Sequence, residues 1–269
     1  MRPRRPTRAR GGTTRPPETA IWQEVEFGSY RADLPLWVEL AAACGGPVLE
    51  LGAGAGRVAL HLAGHGHEVI ALDRDPELAA ELERRARLAG LRLSVVVTDL
   101  SEAESILPPS PPAIVLAPLH VIQELGAEER RALLAALRGM LRQGLFAAAL
   151  VDENTMLTEG LSSALSSDVE VVPKGQILPD MKEVEGWVYS SEPLWVHVGD
   201  STLTVRRLRE RVSPEGKMER SVHDDLLERL SPDRLELELE EAGLRPAGRR
   251  AVRAGPNEAD SVVVVAEAR

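Results

Sequence analysis

Residues Val48 to Leu78 read VLELGAGAGRVALHLAGHGHEVIALDRDPEL, and this stretch decides the fold. Pro47 to Leu51 is a short apolar run that enters Gly-Ala-Gly-Ala-Gly. Arg57 to Ala63 has helical spacing and stops at Gly64-His65-Gly66. The pattern is strand, glycine turn, helix. It then repeats: Glu68 to Leu72 is apolar and strand-like, Asp75-Pro76 is a helix start with proline at the first helical position, and Pro76 to Ala89 is amphipathic up to Gly90.

Working outward, Tyr30 to Cys44 has apolar residues at helical spacing and ends at Gly45-Gly46. Leu93 to Val97, Ala113 to Leu116 and Leu145 to Val151 read as further strands, with an amphipathic helix over Ala127 to Arg142. Five apolar strands alternating with helices predict a parallel sheet covered on both faces. After Val151 the texture changes. Thr202 to Val212 and the turns at Gly199-Asp200 and Pro214-Glu215-Gly216 predict an inserted antiparallel β subdomain over residues 153–230. The α/β texture returns at Ser231-Pro232 with a helix to Ala242 and strands near Leu244 to Val252 and Ser261 to Ala266.

The chain has 269 residues and a formal net charge of −10. Residues 1–20 hold six Arg, four Pro and one acid and read as a disordered tail, which leaves 26 basic and 41 acidic residues in the rest. A body at −15 repels polyanions, so no nucleic-acid partner is expected. One cysteine, Cys44, and the lack of a signal-peptide pattern or membrane-length apolar run predict a cytoplasmic protein with no membrane partner. His61, His65 and His67 have no Cys or acid at ligand spacing, and no metal is expected there.

The glycine spacing selects the ligand class. A dinucleotide turn is Gly-x-Gly-x-x-Gly, whereas here Gly52, Gly54 and Gly56 alternate and Arg57 stands where the third dinucleotide glycine would be. Glu50 precedes the turn, and an acid at that mouth suits an ammonium rather than a pyrophosphate. Asp73 ends the second strand, where a carboxylate can accept both hydroxyls of a ribose. Thr98-Asp99 ends the third, within reach of an exocyclic amine. Three acids on three successive strand ends describe an adenosine attached to an amino acid.

These residues resemble the class I S-adenosylmethionine-dependent methyltransferases. The resemblance rests on Val48 to Leu78, VVTDL at Val96 to Leu100 and APLHVIQEL at Ala117 to Leu125. It implies a Rossmann-like, mostly parallel seven-stranded sheet with the last strand antiparallel, helices on both faces, and S-adenosylmethionine as cofactor. Carried over by position, it implies that Glu50, Gly52 and Gly54 hold the methionine part, Asp73 the ribose and Asp99 the adenine amine. Arg74 and Leu100 would border the adenine ring, and Tyr30 would lie near the cofactor carboxylate. The insertion looks like that of bacterial small-molecule methyltransferases, including the sugar N,N-dimethyltransferases, where such a sheet covers the substrate or makes a dimer contact. His120 and Glu124 depart from the Asn and later His of several of those relatives, so a sugar-amine substrate does not carry over.

The expected activity is methyl transfer to a small-molecule amine or hydroxyl by in-line displacement, with His120 as the candidate base or orienting group. Rival readings are a catalytically silent cofactor-binding assembly partner and a nicotinamide-dependent oxidoreductase, the latter disfavoured by Arg57. An inserted sheet with open edges allows a homodimer. Trp22, Phe27, Tyr30, Trp37, Trp187, Tyr189 and Trp195 lie in the N-terminal segment and the insertion, where they form either an acceptor pocket or the packing of two accessory elements. Arg206, Arg207, Arg209 and Arg211 are expected to be a solvated face rather than an anion clamp.

Overall fold

The computed structural model describes residues 15–102, 108, 110–141, 143–152, 169–171, 179–255 and 259–268. Most of the tail and much of the first part of the insertion lie outside these residues.

Two helices, α1 (Glu18–Phe27) and α2 (Leu34–Cys44), precede the first strand. Then come β1 (Val48–Leu51), α3 (Arg57–Gly64), β2 (Val69–Asp73), α4 (Pro76–Ala89), β3 (Ser94–Val97), β4 (Ile114–Ala117), α5 (Ala127–Met140) and β5 (Leu145–Val151). The insertion supplies β6 (Val169–Val171), β7 (Asp180–Val184), β8 (Trp187–Val198), β9 (Thr202–Val212) and β10 (Met218–Glu228). The chain closes with α6 (Pro232–Glu241), β11 (Leu244–Val252) and β12 (Ser261–Ala268).

The main sheet has seven strands in the order β11-β12-β5-β4-β1-β2-β3. Strands β1 to β5 pair parallel, and β12, the last, runs antiparallel to both β5 and β11. This is the expected architecture. Strands β1, β2 and β4 are buried along their whole length, which is why they read as continuous apolar runs instead of alternating ones. Side chains of successive residues serve opposite faces. Leu49 and Leu51 pack with Leu133, Leu137, Leu235 and Leu239 of α5 and α6. Val48 packs on the other face with Trp37, Leu62 and Leu82 of α2, α3 and α4.

Asp75 caps α4, accepting from the backbone N–H of Glu77 at 2.8 Å and of Leu78 at 3.3 Å, as the Asp-Pro start predicts. Helix α1 was not foreseen. Glu18 to Ala20, read as tail, are its first turn.

The smaller sheet runs β10-β9-β8-β6, with β7 also on β8, all antiparallel. Its inner face meets α1: Ile21, Trp22 and Val25 bury against Tyr189, with Trp22 and Tyr189 edge to face at 5.1 Å. Glu26 of α1 accepts two bonds from Arg209, both 2.7 Å, and one from Ser191 Oγ at 2.8 Å. Arg209 is thus a partly buried strut and not part of a solvated face. Arg211 reaches Glu18 and Glu219, and Arg206 reaches Asp224 on the sheet's outer side. No helix among the described residues is long and apolar enough to cross a membrane.

Candidate active site

Neighbouring parallel strands lie roughly 4.8 Å apart, so the tips of β1, β2 and β3 bring Glu50, Asp73 and Asp99 to one edge of the sheet. The chain leaves β1 through Gly52 (φ 62°) and Gly54 (φ 56°). Both are left-handed, a region in which side chains with a Cβ are strained. A side chain would also crowd its neighbours. A Cβ on Gly52 would meet the Val121 methyl groups at 2.7 Å, and one on Gly54 would meet the Gln23 amide at 2.2 Å.

Two cavities open on this turn and share Gln23 and Gly52. The larger, about 270 Å³, is lined by Asp73, Arg74, Asp99, Leu100, Val121 and Glu124 among others. The smaller, about 50 Å³, has Glu50, Arg57, Phe27 and Leu119 in its wall. Gln23 of α1 stands between them and accepts a hydrogen bond from Ala55 N–H at 2.7 Å.

Asp73 is held rigidly. Its Oδ2 accepts from Gly54 N–H at 2.6 Å and its Oδ1 from Asp75 N–H at 2.9 Å. Burial nevertheless outweighs these bonds and pushes its carboxyl above the usual range. Asp99 accepts from the Ser101 N–H and hydroxyl, which hold its carboxyl below the ordinary value.

Glu50 differs from both. It is 2% exposed, and its Oε2 has no hydrogen-bond partner. Burial raises its carboxyl to about 8; Arg57 opposes the shift, and Asp33 and Asp73 add to it. Arg57 is itself engaged elsewhere, with a two-point bond to Asp33 at 2.6 and 2.7 Å.

Tyr30 is not in the wall of either cavity. Its ring lies under the Arg57 guanidinium at 5.1 Å, and its hydroxyl is 3.5 Å from Ser261 Oγ. His120 also lies outside both walls, although Leu119 and Glu124 beside it belong to them. Leu119 has φ 55°, a strained value for leucine that fixes where the following side chain points. The His120 ring sits edge-on to Phe27 at 5.7 Å, with Nε2 3.9 Å from Glu124 Oε1. Burial lowers its pKa; Asp225 on β10 opposes this and Arg207 on β9 adds to it.

Gln23, Val121 and Glu124 are wall residues that sequence reasoning did not assign. Glu124 had been noted only as a departure from the family pattern. Gln23 lies far upstream of the glycine turn and carries no local signal.

Residues 48–144 match a family model described as a methyltransferase domain. This chain carries a methyltransferase domain. No curated protein sequence matches the chain. Among solved structures, the CcbJ methyltransferase from Streptomyces caelestis is 21% identical, with TM-score 0.63 over 88% of this chain and 96% of that one. The sugar N-methyltransferase KedS8 from a Streptoalloteichus species is 13% identical, with TM-score 0.68 over 100% and 99%. SAM-bound CalS10, an amino pentose methyltransferase from Micromonospora echinaspora, is 15% identical, with TM-score 0.62 over 93% and 97%. The methyltransferase domain and the insertion together therefore have the fold of these enzymes along nearly their full length.

Proposed function

We propose that this methyltransferase moves a methyl group from S-adenosylmethionine to a small-molecule acceptor, an amine or a hydroxyl, in the cytoplasm. The observation that carries the reading is the buried Glu50 carboxyl, whose Oε2 has no partner, beside a glycine turn in which a Cβ at Gly52 would meet the Val121 methyl groups. A buried carboxylate oxygen without a donor gains one when a ligand brings an ammonium group. The larger cavity suits the remainder of an adenosyl amino acid. Asp73 and Asp99 are positioned to accept from ribose hydroxyls and an exocyclic amine, with Leu100, Val121 and Arg74 around a flat ring.

Bound there, the cofactor supplies a methyl group activated by its positive sulfur. The chain's own residues align, orient and exclude water. Gln23 and Phe27 of α1 cover the turn, and Asp73 keeps one geometry through its two backbone bonds. His120, whose pKa burial lowers, faces Arg207 and Asp225 of the inserted sheet, so an acceptor entering between that sheet and the β4 loop meets a group able to take its proton. The net charge of −10 supports a small neutral or cationic acceptor over a nucleic acid.

Calorimetric titration with S-adenosylhomocysteine tests the cofactor assignment. Wild type binds, and Asp73→Ala loses at least about tenfold in affinity, the worth of roughly one charged hydrogen bond. Equal affinity for the two proteins removes the assignment. Transfer of labelled methyl into amine or hydroxyl libraries then tests the acceptor.

A further inference from the structure

Strand β9 carries Arg207, Arg209 and Arg211 at alternate positions, so they share the inner face of the smaller sheet. Two of them end on carboxylates of α1, Arg211 on Glu18 at 2.6 Å and Arg209 on Glu26 at 2.7 Å. Helix α1 stops at Phe27, one residue past Glu26, and Arg207 has no helix carboxylate among the described residues. Arg207 is nevertheless drawn in from solvent. Only 17% of its side chain is exposed, and its Nε is shielded from water with no hydrogen-bond acceptor. Its ion-pair partner, Asp225 of β10, stands 3.4 Å away, out of line for a hydrogen bond, and is shared with His223 Nε2 at 3.3 Å. Arg207 has thus lost water without gaining the close acid that Arg209 and Arg211 have.

The space in front of Arg207 adjoins the site. Just past the end of the α1 contacts, the Phe27 ring meets His120 edge-on at 5.7 Å. Burial lowers the His120 pKa, Asp225 opposes this and Arg207 adds to it, so both charges lie within electrostatic reach of that ring. Asp225 also reaches Glu124 in the wall of the larger cavity: burial raises the Glu124 carboxyl, Arg74 opposes the shift, and Asp225 and Asp73 add to it. We propose that Arg207 and Asp225 form a subsite for an amino carboxylate, in which Arg207 takes the carboxylate of the acceptor in a two-point bond, Asp225 holds its ammonium, and nitrogen is the methylated atom. This subsite presupposes the methyl transfer proposed above and defines its substrate class. Because the two side chains approach to 3.4 Å, the two charges of the acceptor must also be close, as in an α- or β-amino acid. An acid without an amine is repelled by Asp225 and Glu124, and a diamine by Arg207, so both charges are selected together. In the transfer the ammonium first gives a proton to His120. The nitrogen lone pair then forms the bond to the methyl carbon, the carbon-sulfur bond breaks with its electron pair kept by sulfur, and the product leaves as an N-methylammonium carboxylate.

Ligand-observed NMR on the full chain saturated with S-adenosylhomocysteine reads the subsite without turnover. The probes are the α-amino acids, β-alanine, and the primary amide of each. Wild type is expected to bind amino carboxylates and to favour them over their amides by roughly tenfold or more, the worth of a charged hydrogen bond. Arg207→Met removes the charge at similar length and should erase that preference, with S-adenosylhomocysteine affinity and melting temperature near wild type. Transfer of labelled methyl should follow the same order, the loss in Arg207→Met falling on KM more than on kcat. Arg207→Glu should reject the carboxylates and accept 1,2-diaminoethane. A wild type that binds S-adenosylhomocysteine but no amino carboxylate, or that binds the amides equally well, overturns the proposal. So does an Arg207→Met chain that keeps the preference. A wild type that does not bind S-adenosylhomocysteine at all removes the methyl-transfer reading, and the subsite with it.

Discussion

At the residue scale Glu50 makes the sharpest statement. Its carboxyl titrates at about 8 when folded, against about 4.3 for an unfolded chain, so between these values the folded state keeps a proton that the unfolded state releases. Stability must therefore fall as pH rises through that window, by an amount of the order of 4 kcal/mol at its upper end. Glu50→Gln removes the ionisation. Thermal melts should show the variant close to wild type at pH 5 and clearly more stable at pH 8.5; parallel curves would contradict a buried Glu50 whose Oε2 lacks a donor. If an ammonium is the missing partner, S-adenosylhomocysteine binding at pH 7 should release protons. That release is measurable by calorimetry in buffers of different ionisation heat, and the substitution should abolish it. That Glu50, Gly52, Asp73, Asp99 and Leu100 would lie together at one sheet edge was legible in the sequence, because a strand tip and a tight turn fix side-chain position locally. Tyr30 was less so, since what places its ring is the long-range pair between Arg57 and Asp33.

At the scale of the element, α1 is decisive, and it escaped the sequence reading. Its sequence ETAIWQEVEF serves two partners at once, which blurs any single apolar stripe. Ile21, Trp22 and Val25 face the inserted sheet, while Gln23, Glu24 and Phe27 face the glycine turn and α4. Of the aromatic residues of the two accessory segments, Trp22, Tyr189 and Trp187 form a small core between α1 and the inserted sheet, Tyr30 and Trp37 belong to the core beneath the main sheet, and Phe27 reaches the wall of the smaller cavity. Glu26 joins α1 to Arg209 in a nearly dry pair, and removing one partner of such a pair strands the other. Glu26→Ala should cost about 3 kcal/mol and speed S-adenosylhomocysteine release. Gln23→Ala should speed release severalfold with little change in melting temperature, because it removes the cover and leaves the anchor. Stopped-flow dissociation and melting curves separate the two effects, and equal release rates in all three proteins would deny α1 its covering role.

Over the whole molecule, the seven-stranded order could be anticipated because alternation of strand and helix leaves few topologies, whereas the seating of the smaller sheet could not, because it depends on contacts far apart in sequence. Besides α1, a second joint holds that sheet. Arg130 of α5, 1% exposed at its side chain, bonds Glu238 of α6 at 2.6 Å and Glu228, the last residue of β10, also at 2.6 Å. Burial pushes the Glu238 carboxyl up, yet Arg130 and Arg234 together pull it below its ordinary value. A depressed carboxyl stabilises the fold above its unfolded pKa and loses that contribution as pH falls through the folded one. Arg130→Ala takes the main counter-charge away and leaves Glu238, fully buried, to repel its own ionisation, so the sign reverses and acid now relieves strain. The melting temperature of the variant should lie far below wild type at pH 7, by the equivalent of roughly 3–5 kcal/mol, and the gap should narrow steadily towards pH 4. A gap that stays constant over that range would mean that Arg130 acts by packing alone and that the joint between the two sheets is not electrostatic.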